Sequence, residues 1–198
     1  MKPISSILLS TILAAGLLLC QPAKAQQHAD PADMRAAAQV LQHLGAATSI
    51  DEGQGKRQVT VFFDPNCPYC RQLYSDLRPW VGKDDLQFRW VAVAILAPSS
   101  LGKAAAILQA KDPLQAFRAM EDHGLDPSLP EPAPPDAGQI TARTRRTLKI
   151  NDAVLKRAGA YYSVPLVVFR NRQGRPQLLL GAPRSERALA EVLQSVGH

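Results

Sequence analysis

The sequence has no second pair of cysteines. Its three are Cys20, Cys67 and Cys70, and Cys20 falls in a segment expected to be removed. A structural zinc site takes four ligands, usually two such pairs or one pair with paired histidines. His28, His43, His123 and His198 are scattered without ligand-like spacing, so no metal is expected, and no organic cofactor either. Aromatic residues are few, and none is interleaved with the basic group Arg143, Arg145, Arg146 and Lys149. That group therefore reads as a solvated helix face and not as a nucleic-acid site. Long apolar runs are missing beyond the N-terminus, and there is no internal repeat.

The one long apolar run, Ile4 to Leu19, follows Met1-Lys2 and precedes Ala23-Lys24-Ala25. It is shorter than the ~20 residues of a membrane helix, and the pattern is that of a cleavable export signal over residues 1–25. Cys20 follows Leu19 where lipid attachment wants a small residue, so it belongs to the discarded segment. Removing that segment takes Lys2 and Lys24 and lowers the net charge from +6 to +4. One domain is the default for the remainder. Export also decides the chemistry open to the other two cysteines, because disulfides persist outside the cytosol.

Those two stand in "FFDPNCPYCRQ", residues 62–72. A Cys-x-x-Cys can be a redox centre, half of a metal site or a structural disulfide. The metal reading lacks partners. As a staple the bridge encloses two residues, and the chain-entropy gain of a disulfide grows with its loop. Redox chemistry remains.

Periodicity places the motif. Asp30-Pro31 opens a helix carrying Met34, Ala37, Leu41 and Leu44 on one face, ending near Gly45. Residues 46–57 read as a connection. Gln58–Phe63 reads as a buried strand, Pro68–Val81 as a helix with Leu73, Tyr74, Leu77 and Trp80 on one face, and Leu86–Leu96 as a second strand. A strand–helix–strand order predicts a parallel βαβ unit, and chemistry gathers beyond the C-terminal ends of such strands. Cys67 falls there. Ser99 or Ser100 is expected to cap a helix through Ala110, and Asp112-Pro113 to open another through about Asp122. Five prolines between Pro127 and Pro135 make an extended link. A basic helical region over 140–158 leads to Ser163-Val164-Pro165. Strands at Leu166–Arg170 and Gln177–Leu180 and a last helix capped by Ser185 complete the chain.

At a helix start the first sulfur meets unpaired backbone N–H groups and a partial positive charge, which favours its thiolate. Cys67 is the expected nucleophile, and Cys70, one turn inward, the resolving thiol. Pro68 suits the first helical position but supplies no N–H, leaving Tyr69 and Cys70 as donors. A fall in pKa from ~8.5 to ~6 raises the thiolate fraction at pH 7 about 30-fold and costs about 13-fold in nucleophilicity, so its main effect is on the redox equilibrium. Asp64 would oppose that fall if it faced the sulfur, and Arg71 would assist it. Tyr69, between the cysteines, is placed to touch a partner.

The stretches "VTVFFDPNCPYCRQLYSDLRPWV", "AAAILQAKDPLQAF" and "SVPLVVF" resemble the catalytic domain of the DsbC/DsbG family of periplasmic thiol:disulfide interchange proteins, the DsbG branch more closely, over residues 57–197. The resemblance implies an α/β thioredoxin fold with a helical insertion, about residues 99–158, between the second strand and a cis-proline at Pro165. It implies Cys67 and Cys70 as the redox pair, and Val164 beside Pro165 as backbone that pairs with an extended substrate. Exported proteins with cysteines are the implied partners, together with a redox partner of the DsbD or DsbB kind. Two features depart from the pattern. Val61 stands where thioredoxin has a buried acid. The 32 residues between Ala25 and Gln58 are too few for the family's separate dimerisation domain, so a helix and linker over 26–57, a domain over 58–198 and a monomer are expected. A DsbA-like oxidase and a redox-inert peptide-binding chaperone on the same fold are the alternatives.

Overall fold

The computed structural model describes residues 30–198. The expected export signal, with Cys20 and Ala25, and also His28 lie outside the described residues. Asp30 accepts from Ala32 N at 2.7 Å and so caps helix α1, Pro31–His43, with the proline in its first turn. The buried face of α1 is Ala36, Ala37 and Val40, and it packs against the last two strands of the sheet.

Residues 46–57, expected as a connection, contain a short strand, β1, Ile50–Glu52. Its sequence hides it because the acidic Glu52 is an inward-facing residue with no exposed surface. Strand β2, Arg57–Phe63, leads into the cysteine motif, and helix α2, Pro68–Leu77, follows with Arg78–Trp80 tightening into a 3-10 turn at Pro79. Strand β3 spans Leu86–Ala92 and pairs parallel to β2, with Val61 beside Trp90. β1 pairs antiparallel on the outer edge of β3.

The apolar run after Leu86 was expected to stay extended through Leu96, yet the strand ends at Ala92. Asn151 takes the Ala92 carbonyl at 2.9 Å, and the N–H groups of Ile95 and Leu96 turn to the Asp64 carboxylate. The insertion then provides α3 (Ser100–Leu108), α4 (Pro113–Leu125) and α5 (Ala142–Leu155), with the proline-rich link irregular between the last two. Arg143, Arg145, Arg146 and Lys149 lie on the exposed side of α5, opposite Thr144, Leu148 and Asn151. Strands β4 (Leu166–Arg170) and β5 (Pro176–Leu180) and helix α6 (Glu186–Ser195) close the fold. The five-stranded sheet has the order β1-β3-β2-β4-β5, antiparallel except at β2–β3.

Every residue from Val59 to Phe63 is buried, as befits a central strand covered on both faces. On one face Phe63 and Trp90 meet Tyr74 of α2 and Phe117 of α4, with ring centroids 4.8 to 6.1 Å apart. This aromatic cluster fixes α2 and α4 against the sheet and against each other. The N-terminus of α2 is thereby held just past the end of β2.

Candidate active site

Cys67 is the residue that caps α2. Its backbone is extended, and its sulfur accepts a hydrogen bond from Cys70 N at 3.2 Å. Pro68 occupies the first turn, where a missing N–H costs nothing. Both cysteines are free thiols. Cys67 stands at a helix start, yet the residue is only 3% exposed and Cys70 only 1%. The covering comes from across the fold: Val164 O lies 3.6 Å from the Cys67 sulfur and can accept from its thiol. The Val164–Pro165 peptide bond is cis. Tyr69, between the cysteines, is 69% exposed.

The two thiols are driven apart electrostatically. Cys67 is lowered to about 7, first by the hydrogen bond from the Cys70 thiol and then, against the opposing effect of burial, by the N–H groups of Cys70 and Tyr69. Cys70 is pushed far up, first by burial and next by donating to Cys67. One sulfur is thus a thiolate near neutrality and its neighbour holds a proton.

Asp64 neither points freely at the sulfur nor lies in solvent. It has no exposed surface, and its carboxylate accepts from Asn66 N (2.9 Å), Ile95 N (2.7 Å), Leu96 N (3.0 Å) and Ser100 Oγ (2.7 Å). It ties the loop before Cys67 to the end of β3 and the start of α3. Its charge does raise the Cys67 pKa, as the weakest of the influences. Of the two serines expected to cap α3, Ser99 stands at the N-cap with no side-chain cap bond, and Ser100 is enlisted here: its hydroxyl also accepts from Ala97 N and Asn66 Nδ2.

Arg71 lies between the loop before Cys67 and helix α4. One guanidinium nitrogen reaches Pro65 O at 3.4 Å, and the group lies against Gly124 of α4, where a Cβ would overlap it. Its charge falls on Glu121 of α4, a buried carboxyl that local reading of the sequence passes over. The signal was there, since Glu121 sits on the apolar face of its helix with Phe117, Met120 and Gly124, at spacings of three and four.

Elsewhere, His43 and His123 lie against carbonyl groups of Gln39 and Leu129, and His198 lies 3.7 Å from Asp85. These histidines do not converge on the cysteines.

The sequence matches a thioredoxin-like domain over residues 44–197. It is 34% identical over 159 residues to the thiol:disulfide interchange protein DsbG of Pseudomonas aeruginosa, covering 79% of this chain and 59% of that protein. To the protein of the same name from Escherichia coli it is 32% identical over 125 residues, covering 63% of this chain and 48% of the relative. The chain thus spans about half the length of these curated relatives. Among solved structures, the catalytic domain of Proteus mirabilis ScsC superposes with a TM-score of 0.59 at 20% identity, covering 81% of this chain and 96% of that one. This last likeness is one of fold.

Proposed function

We propose, from the premise that the chain belongs to the thioredoxin-like domain family, that it is a periplasmic protein thiol:disulfide oxidoreductase working through Cys67 and Cys70. The observation that carries this is the division of labour between the sulfurs, one lowered to about 7 and the other buried and protonated. The Cys67 thiolate attacks one sulfur of a client disulfide. The client's second sulfur leaves as a thiolate, which takes a proton from water, and a mixed disulfide forms. Cys70 then loses its proton and attacks the Cys67 sulfur, closing the intramolecular bridge and expelling the client's first sulfur as a thiolate. Exposed Tyr69 and the backbone at Val164–Pro165 frame the approach to Cys67 and are assigned to client contact. Exported proteins with cysteines are the clients, and a DsbD-like or DsbB-like partner resets the pair. Export rests on the N-terminal signal pattern.

The Cys67 thiolate bears on the direction of electron flow. Lowering Cys67 from 9.0 to about 7 stabilises the reduced pair by about 0.4 kcal/mol at pH 7, rising to about 2.7 kcal/mol, or about 60 mV for two electrons, above pH 9. That makes the disulfide the stronger oxidant and favours a DsbA-like, disulfide-donating use as the second reading. Shuffling of wrong disulfides is the first, from the likeness to DsbG over the catalytic region.

Both are tested with ribonuclease. Recovery of activity from the scrambled enzyme alone rejects the oxidase, and recovery from the reduced enzyme alone rejects the isomerase. The Cys70→Ser variant is expected to accumulate mixed disulfides with exported proteins. If no adduct accumulates, or if Cys67→Ala leaves activity in cells unimpaired, the pair is not a working redox centre and a peptide-binding chaperone is the better account.

A further inference from the structure

Among the buried carboxyl groups of the described residues, Glu121 is the one without a hydrogen-bonding partner. It is 1% exposed, and both carboxyl oxygens are buried without a hydrogen-bonding partner. Its place on α4 is fixed from both sides. One turn earlier Phe117 packs on Tyr74 of α2, and one turn later Gly124 lies against the Arg71 side chain. Residues at such spacings share a helix face, so Glu121 faces α2 between these contacts, beside the segment that carries Cys70 and Arg71. Arg71 Nε is itself buried without a partner. A carboxylate buried unpaired is strongly disfavoured, and this one stands in the field of the Cys67 thiolate.

We propose that Glu121 is a redox-linked proton site, which takes up a proton when the Cys67–Cys70 disulfide is reduced and gives it up when the disulfide reforms. It acts on the cysteines through the electrostatic field and is therefore a positioning residue for charge, resting on the redox role assigned above. With glutathione as donor, the S–S bond breaks, two thiols supply two electrons and two protons, and they leave as glutathione disulfide. Cys67 keeps a negative charge, Cys70 takes one proton, and the Glu121 carboxylate takes the other, so charge and protons balance.

The groups around Glu121 set the sense of the effect. Its pKa stands at about 8, raised first by burial and then by the Cys67 and Asp122 charges, against the lowering effect of Arg71 and Lys103. Lys103 is itself held by Glu131 at 2.7 Å. In the disulfide form the Cys67 charge is gone, so the Glu121 pKa falls below its value in the dithiol form. Between those two values reduction draws an additional proton.

The test is the equilibrium with glutathione from pH 5.5 to 9 for the wild type and for Glu121→Gln. The two potentials are expected to coincide at low pH and to separate as pH rises toward about 8, with the wild type the harder to reduce. The separation grows by up to tenfold in equilibrium constant per pH unit, about 30 mV for two electrons. Parallel curves, or a separation of opposite sign, overturn the proposal while leaving the redox pair intact. A pair that never equilibrates with glutathione overturns the functional reading and this inference with it. Should Glu121→Gln fail to fold, infrared difference spectra of the wild type from pH 5.5 to 9 decide: a protonated-carboxyl band appearing on reduction within that range supports the assignment, and its absence throughout overturns it.

Discussion

A carboxylate with no exposed surface that accepts from two loop N–H groups, a local N–H and a serine hydroxyl, as Asp64 does, holds three chain segments through one side chain. Replacing it by alanine leaves the part-buried N–H groups of Ile95 and Leu96 and the buried Ser100 hydroxyl without their acceptor, at about 2 kcal/mol. Asp64→Ala is therefore expected to lower the denaturation midpoint markedly. It should also lower the Cys67 pKa slightly, because a neighbouring negative charge is lost; thiolate absorbance against pH measures this. Glu121 produces a different signature. A carboxyl raised from 4.5 to about 8 by folding contributes stability that is complete below pH 4.5 and is lost as pH rises through 8. The dithiol form should weaken across that window by a few kcal/mol at most, and Glu121→Gln should flatten the profile.

At the scale of elements, the α2–α4 contact and the β1–β2 turn carry the geometry that supports the site. Gly124→Ala places a methyl where the Arg71 guanidinium lies. The helix-propensity gain of about 1 kcal/mol offsets the cost of moving Arg71, so global stability should change little. Glu121, however, loses the stronger of its two opposing cations, and the pH at which stability falls should move above 8. Gly55→Ala is harsher, because the added Cβ overlaps the backbone of Asp85 and not the end of a flexible chain. It pushes apart the segments where Arg57 N bonds Asp85 O at 3.0 Å, and a loss on the order of 2 kcal/mol in chemical denaturation is expected. The elements themselves were mostly legible. α1, α2, α4 and α6 announce themselves through Asp30-Pro31, Cys67-Pro68, Asp112-Pro113 and Ser185, each with its capping side chain bonded as the local rule requires. β1 was not, since three residues containing two acids give no period. Glu52 is buried because Trp90 Nε1 and Arg118 Nε, distant in sequence, bond its two oxygens at 2.9 and 2.8 Å.

For the whole molecule, the sheet and its insertion form a scaffold that sets the two thiols apart, and redox state becomes linked to folding. A Cys67 pKa lowered by folding contributes stability to the dithiol form that is present above pH 9 and lost as pH falls through about 7. In the Glu121→Gln background, free of the opposing carboxyl, the dithiol form is expected to gain on the disulfide form between pH 7 and 9 by up to about 2.7 kcal/mol. Paired denaturation curves of the two redox forms test this, and a difference that shrinks with rising pH would contradict the assignment of Cys67 as the thiolate.

The cysteine pair, the helix that Cys67 caps and the strand that leads into it were legible from residue order alone, because capping, proline placement and apolar period are local and act within a few residues. Tertiary structure decided how the sulfurs are shielded and charged. Val164 reaches Cys67 from 97 residues away, Asp64 finds Ile95 and Ser100 across the sheet end, and Glu121 faces the Cys70–Arg71 segment only because Phe117 and Gly124 seat α4 on α2. Desolvation and Coulomb forces depend on distance in space, and only the folded chain sets those distances.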